Sequence, residues 1–156
     1  MGKINWGRVV LGGIVAGVVY SIIDYPVNGM WLAGRWNDGL AALGHTALSM
    51  RQIVSLNILN LVGGIAFVWL YAAIRPRYGA GPGTAVHAAI WFWIIGTLIP
   101  NLAFMWVPHL FSHHLMAYTT AAALVETIIA GLAGASVYKE EITAESRVAQ
   151  LTEARG

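Results

Sequence analysis

The chain has 156 residues, 58% of them hydrophobic and only 10% charged, with a formal net charge of +2. A soluble domain carries about 25% charged residues, so this composition excludes a disordered chain and argues against an ordinary water-soluble enzyme. Without cysteine there is no disulfide framework, thiolate metal site or thiol chemistry, and scattered basic residues make nucleic acid an unsuitable partner. An integral membrane protein remains.

Four stretches reach the roughly 20 apolar residues needed to cross about 30 Å of hydrocarbon: residues 6–25, 52–73, 84–106 and 115–138. They are too long for strands and show no alternation of period two. The fold class expected is therefore all-α, a polytopic four-transmembrane-helix bundle, with residues 1–138 as the membrane domain. Residues 28–49 mix Met30, Trp31, Leu32 and Trp36 with Arg35, Asn37 and Asp38, which suits an interfacial segment after the first helix; a re-entrant loop is the alternative. Residues 139–156 read as a charged cytoplasmic tail, in which Ile142, Val148 and Leu151 form at most a thin apolar stripe. The apolar start has no small-x-small cleavage site, so residues 6–25 are expected to stay as a span.

Lys3, Arg8, Arg75, Arg77, Lys139, Arg147 and Arg155 fall on one side of this arrangement and only Arg35 and Arg51 on the other. The bias puts both termini in the cytoplasm. Arg75 and Arg77, in the loop before Gly79-Ala80-Gly81-Pro82-Gly83, are expected to touch anionic lipid headgroups. That loop lacks the ending of a phosphate-binding P-loop.

Helix association in lipid depends on small residues that permit close approach. Gly13 and Gly17, with Gly12 and Ala16 beside them, face this way in the first span, and Gly131 and Ala135, with Ala130 and Gly134, do so in the fourth. Tight contact between the first and fourth helices is expected. Pro26 and Pro100 each remove a backbone donor and should kink their helices.

Polar residues at membrane depth carry the chemistry. Glu126 stands about 15–18 Å from either end of the fourth span, where a charged carboxylate costs a few kcal/mol; it must face the bundle and be neutral or paired. Asp24 and Asn28 lie at the outer end of the first span, Asn57 and Asn60 about two turns inside the second, and Asn101 at similar depth in the third. If these faces converge, they form a polar pocket with Glu126 as its floor. The asparagines are otherwise interhelical glue, at about 0.6 kcal/mol each. His45, His109, His113 and His114 cluster on the outer side, with His109 and His113 spaced to share one helix face. Such a pair can hold a zinc or copper ion, whereas a bis-histidine haem needs opposed ligands and has only His87, near the inner face, as an embedded candidate; the cluster can also simply be a polar interfacial turn.

The opening Ile4-Asn5-Trp6-Gly7-Arg8-Val9-Val10-Leu11-Gly12-Gly13 and the joint from Trp69 through Arg75-Pro76-Arg77-Tyr78 to Pro82 resemble an uncharacterised family of small bacterial four-span integral membrane proteins. That resemblance implies the fold and a bacterial inner membrane, and carries over no functional residue. Three functions stay open. The first is a non-catalytic accessory subunit packing against protein partners within the lipid bilayer, as in a respiratory or photosynthetic complex. The second is a small transporter or ion-coupled carrier using Glu126, and the third an outward-facing histidine metal or haem site.

Overall fold

The computed structural model describes residues 3–107 and 111–140, all helix and connecting turn with no strand among the described residues. Four helices there are long and apolar enough to cross a membrane. We label them α1 (Trp6–Trp31), α3 (Met50–Tyr78), α4 (Pro82–Trp106) and α5 (His113–Val137); α2 is the intervening helix Ala33–Ala42. The protein is an all-α, multi-pass membrane bundle, as its hydropathy predicts. The tail stripe at Ile142, Val148 and Leu151 and the ligand candidate His109 lie outside the described residues.

Three of the four spans start where the sequence supplies an acceptor for the orphan amides, and α4 starts instead on Pro82, which has no N–H to satisfy. The Asn5 side chain accepts from the Arg8 N–H at 3.1 Å, and the Ser112 hydroxyl accepts from Leu115 N–H at 3.2 Å. Ser49 and Gln52 cap α3 reciprocally in a capping box. At the other end of α3, Gly79 and Gly81 take positive φ of 83° and 142°, a backbone shape that glycine alone adopts without strain. The turn into α4 is correspondingly short.

Of the two prolines expected to kink a helix, Pro26 lies within a widened turn and Pro100 just after one. Residues Tyr25–Trp31 and Ile94–Leu98 are π-helical, with Leu32 N–H donating to the Val27 carbonyl at 2.8 Å. A register of i+5 lets the chain pass a proline that has no N–H to give. The first span therefore runs on to Trp31 rather than stopping near residue 25. Helix α2 follows, ten residues long and so about 15 Å, too short to cross the membrane. It folds back on the bundle: Leu32 is fully buried with Leu115 and Met116, Trp36 meets Phe111 edge-on at 5.4 Å, and the Arg35 guanidinium sits over the Tyr118 ring.

Around the bundle the order is α1, α3, α4, α5, with α1 in its most extensive contacts with α3 and α5. The small-residue faces explain why. A methyl on Gly12 would stand 2.6 Å from the Gly134 carbonyl, so α1 and α5 touch backbone to backbone, as expected. Gly13 and Gly17 do something different. They meet Gly64, Ile65 and Leu61 of α3, so what reads in sequence as one flat face is two adjacent faces serving two neighbours. We call the end bearing Lys3 and Glu140 basal and the opposite end distal. Buried residues of α3 run from Gly64 to Ala72, and those of α4 from Thr84 to Ala89; both sets are basal. Helix α3 contacts α4 along Pro82–Trp93 and scarcely beyond, so the two helices part toward the distal end.

Candidate functional site

Glu126 projects from the middle of α5 toward α1 and is 1% exposed. Neither carboxyl oxygen has a hydrogen-bond partner among the described residues. Such groups are rare in native structures, because an unmet buried acceptor forfeits its hydration without replacement. The Tyr20 hydroxyl approaches from α1 without closing a hydrogen bond of ordinary geometry, and the Asp24 carboxyl is the nearby like charge. No lysine, arginine or histidine is within pairing distance of Glu126, the one ion pair among the described residues being at the basal end.

From Asp24 a polar chain leads distally. Asn28 donates to the Asp24 carboxyl at 2.8 Å, and the Trp36 indole N–H donates to the Asn28 carbonyl oxygen at 3.1 Å. Tyr20, Asp24 and Asn28 recur every four residues, so one face of α1 carries all three. The π-turn at Tyr25–Trp31 hands this stripe over to α2. Sequence reading found Glu126, Asp24 and Asn28 and missed Tyr20, although its spacing from Asp24 was the available signal.

The remaining candidates divide. Asn60 of α3 donates to the Ser21 hydroxyl of α1 at 3.1 Å, and Asn101 of α4 donates to the Thr120 hydroxyl of α5 at 2.7 Å. Both are interhelical bonds, and neither reaches Glu126. Asn60→Leu and Asn101→Leu should therefore each lower stability by about 0.6 kcal/mol, up to about 1.7, measured as a shift of the unfolding midpoint in detergent. A loss several times larger would mean that the asparagines hold more than one bond. Asn57 does not join the pocket. Its amide donates to the Ile53 carbonyl of its own helix at 2.9 Å and the side chain faces outward, because α3 turns Asn60 and Gly64 inward and Asn57 lies off that line. The expected pocket with Glu126 as its floor does not form: Asp24 and Asn28 bond to each other near Glu126, whereas Asn57, Asn60 and Asn101 are spent elsewhere.

A cavity of about 160 Å³ lies where all four spans part, lined by Tyr20, Asn60, Thr97 and Thr127 among smaller apolar residues. Its base is the Phe67–Phe92 edge-to-face pair, with ring centroids 5.8 Å apart. Tyr20 is shared between this cavity and Glu126.

The described histidines do not assemble into a ligand set. His45, His113 and His114 are exposed, His113 contacts the Met105 carbonyl at 3.1 Å, and no three His, Asp or Glu side chains converge among the described residues. His87 stacks on Tyr78 at the basal end. Arg75 also departs from expectation. Its Nε lies 3.6 Å from the Glu140 carboxylate and its guanidinium covers the Tyr138 ring at 5.5 Å. The residue is turned into the end of the bundle, because Tyr138 and Glu140 at the end of α5 reach it before solvent does. Arg77 is exposed and free to meet headgroups.

Comparison of the chain with protein-family models, with curated proteins and with solved structures finds no match.

Proposed function

We propose that the protein is a small ion-coupled membrane carrier in which Glu126 binds and releases a proton or cation. One observation carries this reading: a carboxyl buried to 1% exposure at mid-span with both oxygens unpartnered. Ionisable residues at this depth are expensive and mark ion and proton pathways. The Asp24–Asn28–Trp36 chain supplies polar contacts toward the distal end, while the basal half is closed by Gly12 against Gly134 and Gly13 against Gly64. Exchange at Glu126 accordingly takes place from the distal side. The basic residues counted above put both termini in the cytoplasm and that side opposite, which is periplasmic if the membrane is the bacterial inner membrane that the family resemblance implies.

The test is proton movement in proteoliposomes carrying a trapped pH dye, with and without an imposed gradient, together with carbodiimide labelling. Wild-type protein should move protons and be labelled at Glu126; Glu126→Gln, which keeps the shape, should lose both. Equal proton movement by the two proteins would remove the carboxyl from the mechanism.

A second reading is favoured by a different feature. Residues 50–59 of α3 are exposed all round, and Asn57 there faces outward with only its own backbone as partner. A polar residue directed outward from a span suits a neighbouring protein helix better than lipid tails, so this strip is the contact through which the chain would serve as an accessory subunit. Mass measurement after gentle detergent extraction distinguishes the two: a lone monomer from native membranes would oppose the subunit reading.

A further inference from the structure

We propose that the four-helix cavity between Tyr20, Asn60, Thr97 and Thr127 binds a small organic cation with an apolar body, an alkyl- or arylammonium ion of roughly benzene size. The inference rests on the reading of Glu126 as the charge-binding group and names what accompanies it.

Size comes first. The cavity holds about 160 Å³, and an apolar protein cavity of about 150 Å³ accepts a benzene molecule. Its walls are small by residue choice. Gly63 of α3 and Gly96 of α4 both line it, and a β-carbon on either would meet nothing within 4 Å. These glycines are therefore not there to let helices touch, unlike Gly12, Gly13, Gly64 and Gly134. Gly63 is half-buried and Gly96 exposed, so the cavity they line opens sideways between α3 and α4.

Polarity comes second. Against the aromatic base the lining offers the hydroxyls of Thr97 and Thr127, the Asn60 amide and the Tyr20 phenol. All of these can accept a hydrogen bond from an ammonium N–H. Gly96 and Thr97 belong to the π-helical segment Ile94–Leu98, a distortion common at functional sites because it widens the helix and redirects its side chains.

Charge comes third. Tyr20 reaches both the cavity and Glu126, and Thr127 and Ala130, next to Glu126 in sequence and one turn on, line the cavity. The lining holds no cationic side chain and the carboxyls of Glu126 and Asp24 stand near Tyr20, so the site offers acceptors to a cation and no charge partner to an anion. An ammonium entering here satisfies the unpartnered oxygens of Glu126 through Tyr20 or by displacing it. The proton that Glu126 gives up leaves by way of the Asp24 carboxyl toward the distal end, so charge is conserved: one cation in, one proton out. Entry is lateral, where α3 and α4 part beyond residue 93, a route suited to a solute that partitions into lipid.

The experiment titrates full-length protein in lipid nanodiscs with benzylammonium, and with benzyl alcohol as the neutral probe of equal size. Heat of binding and proton release to a weak buffer are recorded together. Benzylammonium should bind at least tenfold more tightly than benzyl alcohol, with about one proton released per ion bound, and Glu126→Gln should abolish both the preference and the release. Gly96→Leu, which fills the cavity from a position with open space, should weaken binding at least tenfold, and Gly63→Leu does the same from the opposite wall should the first variant not fold. Equal affinity for the two probes, or full affinity in a folded Gly96→Leu or Gly63→Leu protein, overturns the proposal. Carbodiimide labelling in the same wild-type sample separates the two ideas. A reactive Glu126 that moves protons without amine binding defeats only this inference; an unreactive Glu126 that moves none defeats the carrier reading beneath it.

Discussion

Gly64→Ala should destabilise the bundle by about 1–3 kcal/mol, the range for forcing atoms into a filled interior, whereas Gly63→Ala should not. A methyl on Gly64 would lie 2.6 Å from the Gly17 amide nitrogen and collide with the Gly13 carbonyl. Both neighbours are backbone, so no rotamer change relieves the overlap and α1 and α3 must separate. Separation also loosens the Gly12–Gly134 contact, because α1 is clasped between α3 and α5. At Gly63 the added methyl meets nothing within 4 Å, and alanine exceeds glycine in helix propensity by up to about 1 kcal/mol. Thermal unfolding in one detergent, followed by far-UV circular dichroism, checks the pair. Equal midpoints for the two variants would mean that α1 and α3 are not in backbone contact.

The second large effect is a gain. Glu126→Met should raise stability by about 1–3 kcal/mol, the usual penalty for leaving a buried polar group unsatisfied. Methionine has a similar length and its flexibility suits a site whose shape it did not define. The one contact given up is the approach of the Tyr20 hydroxyl, which closes no hydrogen bond of ordinary geometry. A residue that lowers stability where a simple replacement would raise it is the signature expected of a group held for its chemistry. The same melting experiment decides it: a loss of comparable size would show that the bundle depends on the carboxyl, and the carrier reading would lose its main support.

How much of this was legible in the sequence depends on which physical quantity was being read. The four spans were legible because crossing hydrocarbon imposes length and apolarity on each helix separately. Their ends were less so. The extension of α1 through Pro26 to Trp31 depends on a π-turn, and hydropathy does not register a change of hydrogen-bond register. Glycine spacing announced close approach, yet Gly12 and Gly13, neighbours in the chain, serve different partners. Adjacent residues point about 100° apart on a helix, and only the assembled bundle decides which neighbour fills each direction. The same holds for Asn57 and Asn60. Three residues separate them, about 60° around the axis, and the rotation of α3 sets one inward on Ser21 and leaves the other facing out.

Scarcity of charge was the strongest message of the chain taken alone. With 10% charged residues, almost every ionisable side chain had to be either a topological marker at a membrane boundary or an exception needing a reason. Glu126 was identifiable as that exception because the cost of a carboxyl in hydrocarbon does not depend on its neighbours. What stands beside it did depend on them. Tyr20 between carboxyl and cavity, the line from Asp24 to Trp36, and the empty space before Gly63 and Gly96 all arise from helices distant in sequence. Transfer energies act residue by residue and can be summed along a chain, whereas cavities and contacts belong to pairs of surfaces and exist only once the helices have met.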